Sequence, residues 1–381
     1  MTMALRLSWL ALCAGIAFVA MAVQMDWGSV KAPAVADKVP GPFRTRALVP
    51  LAGAAAQGND MQTLAALSVE AVRVRPVSAE PLMLLGGWRQ LQGREDLASA
   101  AFGAAAGRGW RNAPLQAMMV EAAMAADMPE VAVDRLQALW AIDVDSPMLQ
   151  PATALVIADP VARRLFARRI AGSHTWPDIF VDWGGKNLDP ADFAATVREA
   201  IDAGGRLACQ ALSDAARELV LGLHTDAARA IWAGDCARLA GSSEASDMGF
   251  QNRGGDAFAG PFDWSYPAAA GLARSLRKEG GRTVMDFSNA DPVAATLAQR
   301  FWQFAPGEHV LAADGIGSGA PEIILKVVCI APGEQYSGAA RAILNEGPVR
   351  FVIPAAGCSL QRIILTAGTG KLEGLSIRAA H

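Results

Sequence analysis

The chain has 381 residues, with 34 basic against 37 acidic side chains and a formal net charge of −3. No basic excess or long positive run is available to hold a phosphate backbone, which excludes nucleic acid as a partner on electrostatic grounds. The length leaves room for two or three domains with their own cores, and the 37 Gly and 21 Pro are dispersed through many turns rather than gathered in a low-complexity tract.

Residues 7–23 (LSWLALCAGIAFVAMAV) carry no charge. At a rise of about 1.5 Å per residue the run nearly spans a hydrocarbon core, and Gln24 and Met25 complete the crossing. Arg6 before it and Asp26 after it favour an N-terminus that stays inside. Residues 1–26 therefore read as a signal anchor. The rival reading is a cleaved signal peptide, for which Ala20-Met21-Ala22 supplies the small-x-small pattern. The first makes the chain a single-pass protein of a bacterial inner membrane with its bulk in the periplasm; the second makes it periplasmic after cleavage. Residues 27–42 (WGSVKAPAVADKVPGP) read as a linker.

Helical patterning covers 43–245. It is broken at QGND, QGRE and ADMP, which start at 57, 92 and 126, intervals of 35 and 34 residues. That is the period of a helix-turn-helix repeat. In the second unit Gly93 supplies the turn, Gly86 and Ala98 let paired helices approach, and Phe102 fills their seam beside Ala105. Only Ala132 and Leu136 keep corresponding places in the next unit. Over roughly 43–145 the chain resembles the tetratricopeptide family, whose arrays chiefly present surfaces to other proteins. Further on, LQPATALVIAD and VARRLFARRIA read as one pair. DPADFAATVREAIDAG reads as a helix capped by Asp189 or Asp192 and stopped at Gly204-Gly205. SDAARELVLGLH and TDAARAIWAGDCARLA read as another pair. An aromatic loop from His174 to Gly185 interrupts this region.

Composition breaks at a linker over 246–261, and from 262 to 381 short segments alternate with turns. The candidate strands are 270–276, 282–288, 294–304, 308–314, 323–331, 338–344, 348–353, 359–367 and 372–378. So many short strands predict an antiparallel β-sandwich or jelly roll, and the whole chain an α+β multidomain protein whose tetratricopeptide-like helical hairpins precede it. Cys13 lies in the apolar run as a free thiol. Cys329 closes an apolar strand and Cys358 opens another, so they are disulfide candidates in an oxidising compartment. Cys209 and Cys236 are a second candidate pair, with buried free thiols as the equal alternative.

The element PFDW at 261–264, with FVIP at 351–354, Cys358 and QRIIL at 361–365, resembles a two-domain family of alphaproteobacteria. Its members join a membrane segment, degenerate tetratricopeptide repeats and a C-terminal β domain. The resemblance implies an association with exopolysaccharide functions and brings no assigned chemistry to these residues.

No catalytic set emerges. His174, His224, His309 and His381 lack metal-ligand spacing, GxSxG is absent, and GIGSG at 315–319 is not a full dinucleotide fingerprint. No cofactor or metal is expected. Asp182, Asp263, Asp286 and Asp291 are the carboxylates open to a polysaccharide hydrolase or lyase, the alternative function, although Asp263 also suits a turn cap or ion pair. Sugar recognition is the stronger idea. Trp264 would stack on a sugar ring, with Asp263, Trp302 and Gln303 as further contacts. Phe301 and Trp302 point to opposite faces of one strand, so at least one belongs to the core. The expected protein is a non-enzymatic membrane-tethered adaptor for exopolysaccharide assembly or export. It would meet envelope proteins through its repeats, bacterial polysaccharide through its β domain and the inner membrane through its N-terminal segment.

Overall fold

A computed structural model of the chain describes residues 3–232, 236, 248–250, 259–330 and 336–380. The turn expected at 331–333, most of the linker expected at 246–261 and His381 lie outside the described residues. The chain forms two compact units, Met1–Val156 and Ile157–His381.

The first unit opens with α1 (Met3–Gly28), whose stretch Leu7–Gly28 is long and apolar enough to cross a membrane and is mostly exposed. Its last turns differ, because Ala22 and Asp26 are buried, as is Ser29 just after it. The Asp26 carboxylate accepts the backbone N–H groups of Thr45, Arg46 and Ala47, each at 2.9 Å, and the Thr45 hydroxyl at 2.5 Å. Three successive N–H groups leading into α2 (Leu48–Gln57) thereby find one anionic partner. Residues 27–42, expected as a linker, have local structure of their own. They hold two 3-10 turns, Pro33–Lys38 and Gly41–Phe43. Ala36 and Val39 are buried there with Ala47, and Met25, Phe43 and Leu51 pack against them. Prolines stand in the first positions of both turns, where a fixed φ and a missing N–H cost nothing.

Three helical hairpins follow: α2 with α3 (Met61–Val74), α4 (Ala79–Leu91) with α5 (Glu95–Ala106), and α6 (Ala113–Ala125) with α7 (Pro129–Ile142). Asn59, Gly93 and Asp127 make the turns, at intervals of 34 residues, with φ of 55°, 70° and 55°. Asn, Gly and Asp are the residues that tolerate this left-handed conformation. A methyl added at Gly86 would lie 2.7 Å from the Phe102 ring, so the absence of a side chain at Gly86 is what lets α4 and α5 close.

The second unit carries α9 (Pro160–Ala171), α10 (Pro177–Asn187), α11 (Pro190–Asp202), α12 (Cys209–Leu221) and α13 (Thr225–Ile231), preceded by α8 (Leu149–Ala158), which ends within it. Within it α10 lies along α12, and α11 lies against α9 and α13. Asp189 caps α11, accepting from the N–H groups of Ala191 and Asp192. The aromatic loop expected between 174 and 185 is instead mostly α10. Pro177 occupies its first turn, and Trp176 and Phe180 join Phe166 and Phe193 in a buried cluster with neighbouring centroids 5.5–5.8 Å apart. Gly184 and Gly185 serve close packing. A methyl at the first would sit 2.6 Å from the Phe193 ring, and one at the second 3.2 Å from Ala215. Cys209 and Cys236 form a disulfide.

Nine strands appear among the described residues: β1 (Leu272–Glu279), β2 (Arg282–Asn289), β3 (Ala295–Trp302), β4 (Gly307–Asp314), β5 (Ile323–Ile330), β6 (Tyr336–Ile343), β7 (Val349–Ile353), β8 (Leu360–Ala367) and β9 (Gly370–Ala380). They form two antiparallel sheets, ordered β1-β2-β9-β4-β7 and β3-β8-β5-β6. From β2 onward this is a jelly roll, eight strands that switch sheets at nearly every connection, with β1 added at one edge. Met285, Phe287, Leu297, Leu325, Ile363 and Leu365 are among the residues that fill the space between the sheets. Cys329 of β5 is bonded to Cys358, just before β8, with Cα atoms 4.9 Å apart.

Candidate functional site

Residues 261–265 run along the outer edge of β3. Ser265 and Gln299 exchange backbone hydrogen bonds of 2.8 and 2.9 Å, and the Phe301 N–H donates to the Pro261 carbonyl at 3.1 Å. On the far side of this segment lie α12 and α13. The Ser213 hydroxyl and the Arg217 guanidinium both donate to the Ala259 carbonyl, at 2.6 and 2.9 Å. The Arg229 guanidinium lies 4.3 Å from the Phe262 ring centroid. Helices α12 and α13 thus share a seam with the segment that opens the sandwich.

This seam corrects the expected sugar contacts. Asp263 is 3% exposed, and its Oδ2 accepts from the Gly260 N–H at 3.0 Å and the Trp232 indole at 3.2 Å. Trp264 is 0% exposed; its indole donates to the Met248 carbonyl at 3.0 Å and its ring packs against Phe250. It has no open face for a sugar. It was expected as an exposed platform, and Met248 and Phe250 cover it instead. Gln303 remains exposed, but its amide accepts from Arg229 at 3.0 Å and donates to the Thr225 hydroxyl at 2.8 Å. Trp302 is half-buried against the core, with the Arg300 guanidinium 4.3 Å from its ring. Asp263 and Gln303 hold helices to sandwich, Trp264 fills the core, and no shared platform results.

The other carboxylates have local partners. Asp182 pairs with Lys186 at 3.1 Å, one helical turn on. Asp291 accepts from the Val293 N–H in the turn after β2. Asp286 accepts from the Gly374 N–H and from Arg277, both at 2.8 Å. The Gly374 bond, aided by Arg277, holds its carboxyl below the ordinary carboxylate range against the opposing effect of burial.

A different feature stands open in the first unit. A groove of about 660 Å³ is lined mainly by Val49, Leu64, Met83, Leu84, Trp88 and Leu91. Leu91 is 64% exposed, so the groove is apolar surface in contact with solvent. Its one acid, Glu80, is engaged by Arg75 at 3.4 Å. Sequence reasoning missed this site, although Leu84, Trp88 and Leu91 stand at i, i+4 and i+7 on one face of α4.

No family model and no curated protein matches the chain. Among solved structures it is similar to PilF of Pseudomonas aeruginosa at 17% identity and a TM-score of 0.27, over 52% of this chain and 92% of that one. It is similar to YrrB, described as a TPR protein with an unusual peptide-binding site, at 15% identity and a TM-score of 0.23, over 49% and 81%. A third is the Clostridium thermocellum xylanase 10B fragment with CBM22-1 and GH10 modules, at 12% identity and a TM-score of 0.21, over 31% and 26%. Likeness at this level transfers no activity, substrate or partner.

Proposed function

We propose that the protein is a non-enzymatic, membrane-tethered scaffold whose repeat groove receives an apolar segment of an envelope protein. The observation that carries this reading is the open groove itself: Met83, Leu84, Trp88 and Leu91 form an apolar strip on α4, flanked by Val49 and Leu64. An amphipathic helix inserting apolar anchors is the kind of partner such a groove suits. The apolar α1 and the two disulfides support a location across the inner membrane, where thiols are oxidised. Assembly or export of a surface polysaccharide is the pathway suggested by the resemblance around PFDW. The experiment is co-purification from detergent of the full chain beside a Trp88→Glu variant that keeps its helicity. A defined partner retained by the wild type and lost by the variant is the expected result, with no change in the length of the host's polysaccharide on incubation. Cleavage of that polymer by purified protein, abolished by one Asp substitution, would overturn the scaffold in favour of a hydrolase or lyase.

A further inference from the structure

The seam between α12 and the sandwich borders a cavity of about 220 Å³, whose wall includes Arg217, Pro261, Asp263, Gln299, Phe301 and Arg362. This is below the roughly 300–1,000 Å³ of sites for drug-sized ligands, and suits a single small ring. Its charge is unbalanced. Arg217 donates to the Ala259 carbonyl, and Arg362 to the Gln299 amide oxygen at 2.6 Å. Among the described residues neither has a carboxylate within ion-pair distance, although both are half-buried. The acid on the wall, Asp263, already accepts from Gly260 and Trp232.

Each guanidinium has five N–H donors in a planar fork, so most donors remain for a planar anion. The Arg362 guanidinium lies 5.9 Å from the Phe301 centroid, and that ring is itself half-buried on the cavity wall. An aromatic ring on the same cavity wall as two arginines matches a ligand with an apolar ring face and a carboxylate. We propose that this cavity binds a carboxylate-bearing sugar residue, its carboxylate on Arg217 and Arg362 and its ring against Phe301. A lone phosphate would use the cations and leave the ring face empty. The site is separate from the repeat groove, so its failure leaves the scaffold reading standing, and loss of the groove partner leaves this site standing.

The test is calorimetric titration of the full chain in detergent with glucuronate, glucose, inorganic phosphate and an N-acetyl-aspartate amide. Glucuronate should bind saturably, with glucose, phosphate and the aspartate derivative each weaker by about tenfold or more, the size expected for charge-assisted hydrogen bonds. Arg362→Gln and Arg217→Gln should each weaken glucuronate by about tenfold while the protein stays folded, and Phe301→Leu should weaken it several-fold. If Arg362→Gln fails to fold, Arg217→Gln decides. No glucuronate binding, equal binding of glucose, tighter binding of phosphate or of the aspartate derivative, or wild-type affinity in a folded arginine variant would each overturn the proposal.

Discussion

The indole N–H of Trp232 donates to Asp263 Oδ2 at 3.2 Å, joining the residue after α13 to the turn that opens the sandwich. Any side chain at Gly260 would run into the same indole, so the close approach requires glycine there. Replacing Asp263 by Ala removes the acceptor of two buried donors, the Gly260 N–H and the Trp232 indole, and should cost about 1–3 kcal/mol for each bond lost. Urea unfolding of the full chain would measure it. A neutral result would mean that the seam contributes no stability.

Trp264→Ala should be among the most damaging single changes in the sandwich. The side chain is fully buried, and removing a buried Trp costs about 3–5 kcal/mol. Trp264→Phe should cost less, because a ring still fills the space, while the Met248 carbonyl loses its donor. Thermal melts of both variants rank them, and an Ala variant that melts like wild type would contradict the burial.

In the repeat array, Gly86→Ala should destabilise by about 1–3 kcal/mol through overpacking against Phe102. Adding Phe102→Leu to that variant should restore part of the loss, since the smaller side chain vacates the contact. A double-mutant cycle with a coupling energy near zero would show that the two residues do not meet.

Alkylation of the denatured, unreduced protein should label Cys13 and leave the other four cysteines untouched. The two disulfides close similar loops, with sequence separations of 27 and 29 residues, so losing either should cost a similar 3–4 kcal/mol or about that on the chain-entropy account. Melting of Cys236→Ala and Cys358→Ala variants tests the equality, and labelling at Cys329 before reduction would remove the second bridge.

Asp286 links stability to acid. Its carboxyl is held below its unfolded value, so its contribution is present above the ordinary carboxylate range and lost as pH falls through the folded pKa. Asp286→Asn should therefore lower stability at neutral pH and flatten the decline on acidification. Unfolding free energies of wild type and variant, measured from neutral to acidic pH, should converge at the acid end; parallel curves would refute the linkage.

Local pattern was enough for much of this architecture. The left-handed turns at Asn59, Gly93 and Asp127 fall at the sequence breaks, and Gly86 opposite Phe102 keeps the role its spacing implied. The nine strands lie where alternation and turn residues placed them, and Asp189 caps its helix through N–H groups two and three residues on. Those features depend on neighbours within a few residues or one repeat. What lay beyond reach depends on distant segments meeting. β2 pairs with β9, which makes the sandwich a jelly roll, and the Cys209–Cys236 bridge is settled only by packing. Met248 and Phe250 turn Trp264 from an expected platform into core, and packing against Phe193 and Ala215 accompanies α10 where an aromatic loop was expected. Arg217 and Arg362 come to one cavity from a helix and a strand with no shared periodicity, because burial across the seam, rather than any local pattern, brings them there.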